Sequence, residues 1–286
     1  MLLPPLLLLW AAAPQAPAAE RTPEEALALA VAAQRTGDKD HRVEFFGIDL
    51  NLRERGETPR ELEVTLLYDS RRRGSLQLIL DDSGRGGVRV EKGYDGERYW
   101  LKEQDHEPIL LAGRDFARDR ELIDDTLGLC EELLLLFDLE RLKARTSDLE
   151  LAQATLFVGG QQRPHEVLRG AISLADRRRR FALWLDRETW LPSRLTLEAD
   201  DPPAEAGGDE AAAADPEVLL AQEFDLSAYH DFPFLGSDST QGRLLPRLVR
   251  EYRRDAEGDR TQVRILELQL VQWRLAPRIR KLEGPR

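Results

Sequence analysis

The stretch FALWLDRETWLPSRLTLEAD, residues 181–200, reads as two β-strands joined by a short polar turn. Asp186, Arg187 and Glu188 form the turn, and Trp190, Leu191 and Pro192 open the second strand. The first strand, residues 181–185, is apolar at every position, so both of its faces need cover. That cover is either protein, such as a helix, or something apolar that is not protein. Trp190 also stands where a turn residue is expected.

Outward from this hairpin the chain keeps returning to strand patterns. Leu168, Gly170, Ile172 and Leu174 alternate with Arg169, Ala171 and Ser173, and residues 154–158 precede them across a Gly159-Gly160 turn. Nearer the N-terminus, residues 43–52 form a mixed strand. Leu62, Val64, Leu66 and Tyr68 then alternate with Glu61, Glu63 and Thr65, and Leu76, Leu78 and Leu80 line a similar face. Such alternation means one buried and one wetted side. A strand starting at Gly86-Gly87 passes through Val88 and Val90. Tyr94-Asp95-Gly96 makes a hairpin turn, because Asp-Gly readily takes positive φ, and residues 99–102 return. Residues 262–275 carry a long strand pattern whose apolar phase shifts twice, which predicts bulges or strong bending.

Two segments are helical. Thr22, Pro23 and Glu25 make a capping signature, Leu27, Ala30 and Val31 an apolar stripe, and Gly37 a stop. Residues 116–145 lack alternation, and LCEELLLLFDLERL, residues 129–142, is apolar around most of its circumference. A helix of that kind is buried on several sides, as a core helix or as one that covers a ligand.

The opening MLLPPLLLLWAAAPQAPAAE reads as a signal peptide over residues 1–18. Leu2 to Ala13 are too few to span a bilayer, and Ala16-Pro17-Ala18 supplies the small-x-small cleavage pattern. No Lys or Arg precedes the apolar run, and no cysteine follows it for lipid attachment. The expectation is export to a bacterial periplasm, with residues 19–286 forming one domain. DPPAEAGGDEAAAADPE, residues 201–217, reads as a disordered acidic insertion in it.

Motifs for chemistry are sparse. His41, His106, His165 and His230 are scattered, and there is no metal-ligand spacing, nucleophile elbow or phosphate-binding glycine loop. Cys130, the only cysteine, has apolar and acidic neighbours, which suits a buried inert thiol. A net charge of −12 and a pI near 5.0 argue against a nucleic-acid partner. The arginine clusters at 71–73 and 177–180 read as solvated turns. No enzyme activity, metal or cofactor is expected. The distinctive constellation is apolar: Tyr99, Trp100, Phe181, Trp184, Trp190 and Trp273 all fall on or beside predicted strands.

Three segments, YDGERYWLKEQD from Tyr94, the 181–198 hairpin and the stretch from Leu244 to Ile279, resemble bacterial LolA-like proteins, a family that includes outer-membrane lipoprotein carriers. Asp95, Gly96 and Trp100 match its Asp-Gly turn and aromatic strand. Asp186, Glu188, Thr189, Leu191, Pro192 and Arg194 match its Asp-x-Glu-Thr-Gly-Leu-Pro-x-Arg hairpin, and Leu245-Pro246 has the corresponding order. The likeness spans about residues 24 to 280. Trp190 replaces the family glycine, the acidic insertion is not typical, and the arginine with which the carriers hold their lid has no assigned counterpart here.

The resemblance implies an α+β fold in which a curved antiparallel sheet forms an incomplete β-barrel around helices. It also implies an apolar cavity for the acyl chains of lipoprotein or phospholipid, with membrane-associated donor or acceptor proteins as further partners. On that basis Trp100, Leu134, Phe137, Phe181, Leu183, Leu185 and Trp273 are the candidate lipid-binding residues of a non-enzymatic periplasmic carrier. Two alternatives stand beside it: an interaction or sensing module on the same fold without bound lipid, and an exported hydrolase with an unrecognised site.

Overall fold

A computed structural model describes residues 21–36, 43–54, 60–71, 74–81, 87–174, 177–198, 221–233, 242–254, 259–272 and 278–281. The signal-peptide stretch, the 201–217 insertion, Gly37 and Trp273 lie outside these residues.

Helix α1 (Pro23–Gln34) begins as its sequence dictates, with the Thr22 hydroxyl accepting from the Glu25 amide and the Glu25 carboxylate accepting from the Thr22 amide. It runs into the short strand β1 (Arg35–Thr36). A meander follows: β2 (Phe45–Glu54), β3 (Arg60–Asp69), β4 (Ser75–Asp81), β5 (Arg89–Tyr94), β6 (Tyr99–Glu103) and β7 (Ile109–Leu110). A 3-10 turn leads into α2 (Ala117–Phe137) and α3 (Leu139–Arg145). Strands then resume as β8 (Thr146–Val158), β9 (Gln161–Leu174), β10 (Arg177–Asp186), β11 (Pro192–Glu198), β12 (Ala221–Pro233), β13 (Gly242–Arg254) and β14 (Arg260–Gln272).

All fourteen strands among the described residues form one antiparallel sheet in the order β7-β6-β5-β4-β3-β2-β14-β13-β12-β11-β10-β9-β8, with β1 paired to β13 off this path. The last strand of the chain, β14, pairs with β2 and so joins the N-terminal meander to the C-terminal one. The two ends, β7 and β8, do not pair with each other among the described residues, so the sheet is open.

Its curvature follows from two adjacent helix residues. Glu131 on α2 accepts a hydrogen bond from the Tyr68 hydroxyl on β3, and Glu132 accepts one from Arg179 on β10. Strands β3 and β10 are six places apart in the sheet order, about 29 Å if the sheet were flat. One helix turn cannot reach both walls of a flat sheet, so the sheet wraps around α2. Consistently, α2 packs on β4, β5 and β13, while α1 packs on β8, β9 and β13. This is the incomplete barrel around helices that the resemblance implied.

Three local expectations change. The arginine run 177–180 is not a turn but the first part of β10. Strands β8 and β9 extend well beyond their apolar cores, meeting at Gly159 and Gly160, which both take positive φ. Strands β12 and β13, unassigned from sequence, lie in the middle of the C-terminal half. Their polar residues are taken up in ion pairs, as in the Glu223–Arg254 and Asp225–Arg260 pairs, which blurs the apolar alternation. The phase shift in the closing strand is a real irregularity, a register shift between Leu268 and Leu270 in its pairing with β2.

The opening hairpin is β10 and β11. Phe181, Leu183 and Leu185 point inward and are buried, whereas Ala182 and Trp184 lie on the outer face and are half-buried. The Asp186 carboxylate closes the turn by accepting from the backbone amides of Glu188 and Thr189. Burial pushes its pKa up, but these hydrogen bonds outweigh burial and hold it below the usual aspartate value. Trp190 has φ +61, the left-handed conformation for which glycine is the ordinary residue. Glycine would meet this backbone conformation without strain, whereas this chain meets it with a tryptophan.

Candidate functional site

The interior of the half-barrel is built on the second half of α2. Leu133, Leu134, Leu135, Leu136 and Phe137 are all buried, so this helix has no wetted face there. The run of leucines is what permits it, since each side chain carries no polar group to satisfy. Leu134, Phe137, Phe181, Leu183 and Leu185, five of the candidate lipid-binding residues, belong to one contiguous apolar cluster between α2 and the inner wall. Phe46 and Tyr68 stack on this cluster from β2 and β3, with the Phe46 and Phe137 rings edge to face at 5.7 Å.

Trp100 is not with them. It sits across from Gly93 on β5, on the face opposite Tyr99 and Leu101, and the Arg280 guanidinium lies 5.8 Å from its ring centroid. A Cβ on Gly93 would stand 2.7 Å from the indole, so the bare glycine is what lets the ring lie flat on the sheet. Trp273 falls outside the described residues.

Two polar groups that the sequence did not single out pin the helices to the sheet. Arg243 on β13 is 3% exposed and donates to Asp138 Oδ1 at 3.1 Å, to the Phe137 carbonyl at 2.9 Å and to Gln34 Oε1 at 3.4 Å. It thereby joins α1, the end of α2 and the start of α3 in one buried node. Gln34 adds a bond to the Leu136 carbonyl, and the Asp138 carboxylate accepts from the Val43 amide. The second group is Glu132, which accepts from Arg179 at 3.2 Å and from Gln222 at 2.9 Å. Gln222 in turn donates to Glu251, and Glu251 pairs with Arg264. Burial, partly offset by Arg179, pushes the Glu132 carboxyl up to about 7. The only sequence signal for either was a charged residue inside an apolar run, which is also the pattern of an ordinary amphipathic helix.

Cys130 is fully buried, and burial raises its thiol pKa well above the ordinary value, so it is not a nucleophile. A histidine-centred cluster exists at the hairpin. His165 Nδ1 faces the Arg163 carbonyl at 2.9 Å, which makes that nitrogen the donor, and Nε2 accepts from the Ser193 hydroxyl at 2.9 Å. Ser193 has no partner in the β10–β11 pairing, because the register shifts beside it. The His165 ring is sealed from solvent and edge-on to Trp184, so the pair ties β9 to β11 across β10. It presents no base to a substrate.

A groove of about 1000 Å³ opens on the outer face of β8 to β11. Ala182 and Trp184, the outward half of the two-faced strand, form part of its floor, and Arg169, Arg178 and Arg180 border it.

No family model and no curated protein matches the sequence. Solved structures do resemble it. A LolA superfamily protein from Nitrosomonas europaea is 13% identical over 90% of this chain and 96% of its own, with a TM-score of 0.41. A DUF1329 family protein from Desulfovibrio piger is 10% identical over 89% and 94%, with a TM-score of 0.45. A domain from Vibrio parahaemolyticus named for outer-membrane lipoprotein sorting is 10% identical over 88% and 93%, with a TM-score of 0.41. Among the described residues, the open antiparallel sheet of fourteen strands around α1, α2 and α3 is similar in fold to that LolA superfamily protein.

Proposed function

We propose that this chain is an exported, non-enzymatic lipid- or lipoprotein-binding protein of the bacterial periplasm, which carries acylated cargo between membrane partners. The observation behind this reading is the open sheet around an all-apolar helix segment. Because β7 and β8 are not paired among the described residues, the two walls part there without breaking a backbone ladder, as a closed barrel could not. Acyl chains entering between α2 and the inner wall replace leucine contacts with methylene contacts. Each buried CH₂ contributes about 0.8 kcal/mol, so a few suffice for useful affinity without a polar anchor. The proposed contact set is Leu134, Phe137, Phe181, Leu183 and Leu185. Trp100, on the opposite face of its strand, is not part of this set.

One observation favours a second reading, an interaction or sensing module with no bound lipid. Residues 133–137 are sealed by the protein's own side chains. Mass spectrometry of the protein purified from native membranes separates the two. Copurifying phospholipid or lipoprotein supports the carrier. A ligand-free protein that also takes up no fluorescent fatty acid defeats it and leaves the interaction module.

A further inference from the structure

The two edges of the sheet are unlike. Strand β7 has two residues, whereas β8 pairs with β9 without a break from Glu150 to Val158. On its other side β8 has no neighbour among the described residues. That side presents a row of backbone N–H and C=O groups at strand spacing, which another extended chain matches and an acyl chain does not. Edges are ordinarily blunted by lysine, proline or a bulge. Residues 151–158 contain no charged residue and no proline, and the one irregularity of β8, a register shift with Asp148 at φ +55, precedes them. Three of the six exposed large apolar side chains among the described residues, Ile109, Leu110 and Phe157, stand on these two edge strands. Phe157 on β8 is 69% exposed.

The side chains of β8 select which extended chain fits. The segment ELAQATLFV, residues 150–158, is self-complementary about Ala154. A two-fold axis normal to the sheet keeps the inner faces of two copies on one side and sets a residue opposite itself. With the axis at Ala154, Gln153 meets Thr155, Ala152 meets Leu156, Leu151 meets Phe157 and Glu150 meets Val158. Leu151 faces inward, in line with Leu168 and Leu183, and is half-buried against the core. The exposed Phe157 ring therefore gains an apolar cross-strand partner, polar meets polar between Gln153 and Thr155, and no charge faces its like. An axis at Gln153 instead sets Leu151 against Thr155 and Glu150 against Leu156, and one at Ala152 sets Leu156 against Asp148.

We propose that β8 is a dimerisation edge, pairing antiparallel with β8 of a second copy of this chain about a two-fold axis at Ala154. The pairing makes one sheet continuous across two half-barrels and covers the ladder that water otherwise satisfies. Asp148 pairs with Arg178 and Glu150 stands opposite Arg169 within each copy, so neither carboxylate needs a cation from the other. A copy seated on β8 also takes the edge that β7 would need to close the barrel, so the seam stays open in the dimer. Lipid plays no part in this contact.

The test is sedimentation velocity of the full chain, without lipid, across a dilution series. The wild type shifts from monomer to dimer as concentration rises, and stops there. Ala154→Cys becomes a disulfide-linked dimer under mild oxidation, because opposed residues of an antiparallel pair stand within disulfide reach. Cys130 is buried and does not compete. Phe157→Cys does not cross-link, since its two copies lie about 20 Å apart along the strands. Gln153→Glu/Thr155→Glu, at two exposed positions, sets like charges opposite each other and weakens the dimer about tenfold. Gln153→Lys/Thr155→Glu sets opposite charges there and keeps it. A chain that stays monomeric up to its solubility limit overturns the proposal, and so does a monomer that takes up a foreign extended peptide along β8. Cross-linking of Phe157→Cys as readily as Ala154→Cys, or the same association constant in the two charge variants, puts the contact elsewhere and overturns it too. Species that keep growing beyond the dimer overturn it in favour of head-to-tail pairing of β8 with β7.

Discussion

Replacing Glu132 by glutamine removes one charge from the interior and keeps the side chain's shape and its bond to Gln222. Glu132 is 7% exposed and faces Arg179 on β10, Gln222 on β12, Glu251 on β13 and Arg264 on β14. Its pKa rises from 4.5 to about 7 in the folded chain, mainly through burial. In the unfolded chain it titrates near its ordinary value. Between those two values the folded state holds the extra proton, so stability increases as pH falls from about 7 to about 4.5. Above pH 7 the charged carboxylate costs the fold about 3 kcal/mol, at 1.36 kcal/mol for each pKa unit. Urea unfolding at pH 5 and pH 8 reads this directly. The wild type should lose stability on going to pH 8, and Glu132→Gln should lose less by about 2.5 kcal/mol. At pH 8 the variant should also be the more stable protein, with a melting temperature higher by several degrees. If Glu132→Gln keeps the wild-type pH slope, or is less stable than wild type at pH 8, the reasoning fails. The Arg179 ion pair would then outweigh desolvation.

Arg243→Ala removes the cation that faces the buried Asp138 carboxylate, which among the described residues keeps only its bond from the Val43 amide, and should cost about 3–5 kcal/mol in chemical denaturation. Arg53→Ala, at an exposed pair with Glu61, should change stability by less than about 1 kcal/mol. At position 190, alanine and glycine both remove the ring that packs on the core and under Arg21, but only alanine keeps the left-handed strain. Trp190→Gly should therefore be more stable than Trp190→Ala by about 1 kcal/mol, and the reverse order would contradict the backbone assignment.

The parts that were legible in the sequence are those governed by local pattern. The capping box at Thr22 and Glu25, the Asp95-Gly96 turn and the alternation through Leu62 to Tyr68 depend on residues a few positions apart, and each is realised as read. The two-faced character of residues 181–185 was also visible, because five successive apolar residues admit no wetted side. What the second face meets was not. Ala182 and Trp184 turn outward onto a groove whose other walls come from β8, β9 and β11, up to 36 residues away in the chain. Trp100 illustrates the same limit. Composition groups it with the other aromatics, whereas strand register against Gly93 puts it on the opposite face, and a one-residue difference in register reverses a side chain. The arginines at 177–180 looked like a solvated turn because charge runs usually are. Pairing with β9 makes them a strand whose alternate members face the interior carboxylate of Glu132 and the outer groove.

Periodicity and turn chemistry act over short distances, so most strands of the two meanders and the apolar helix were legible in the chain, whereas the incomplete barrel was implied by the family resemblance. Which polar and charged groups are buried is a property of the fold. Gln34, Asp138 and Arg243 are remote in the chain and become one node when β13 meets the helices, and Glu132 becomes a near-neutral-pH titrating group because the sheet closes around it. Desolvation depends on everything packed around a group in space, and no short stretch of sequence carries that information.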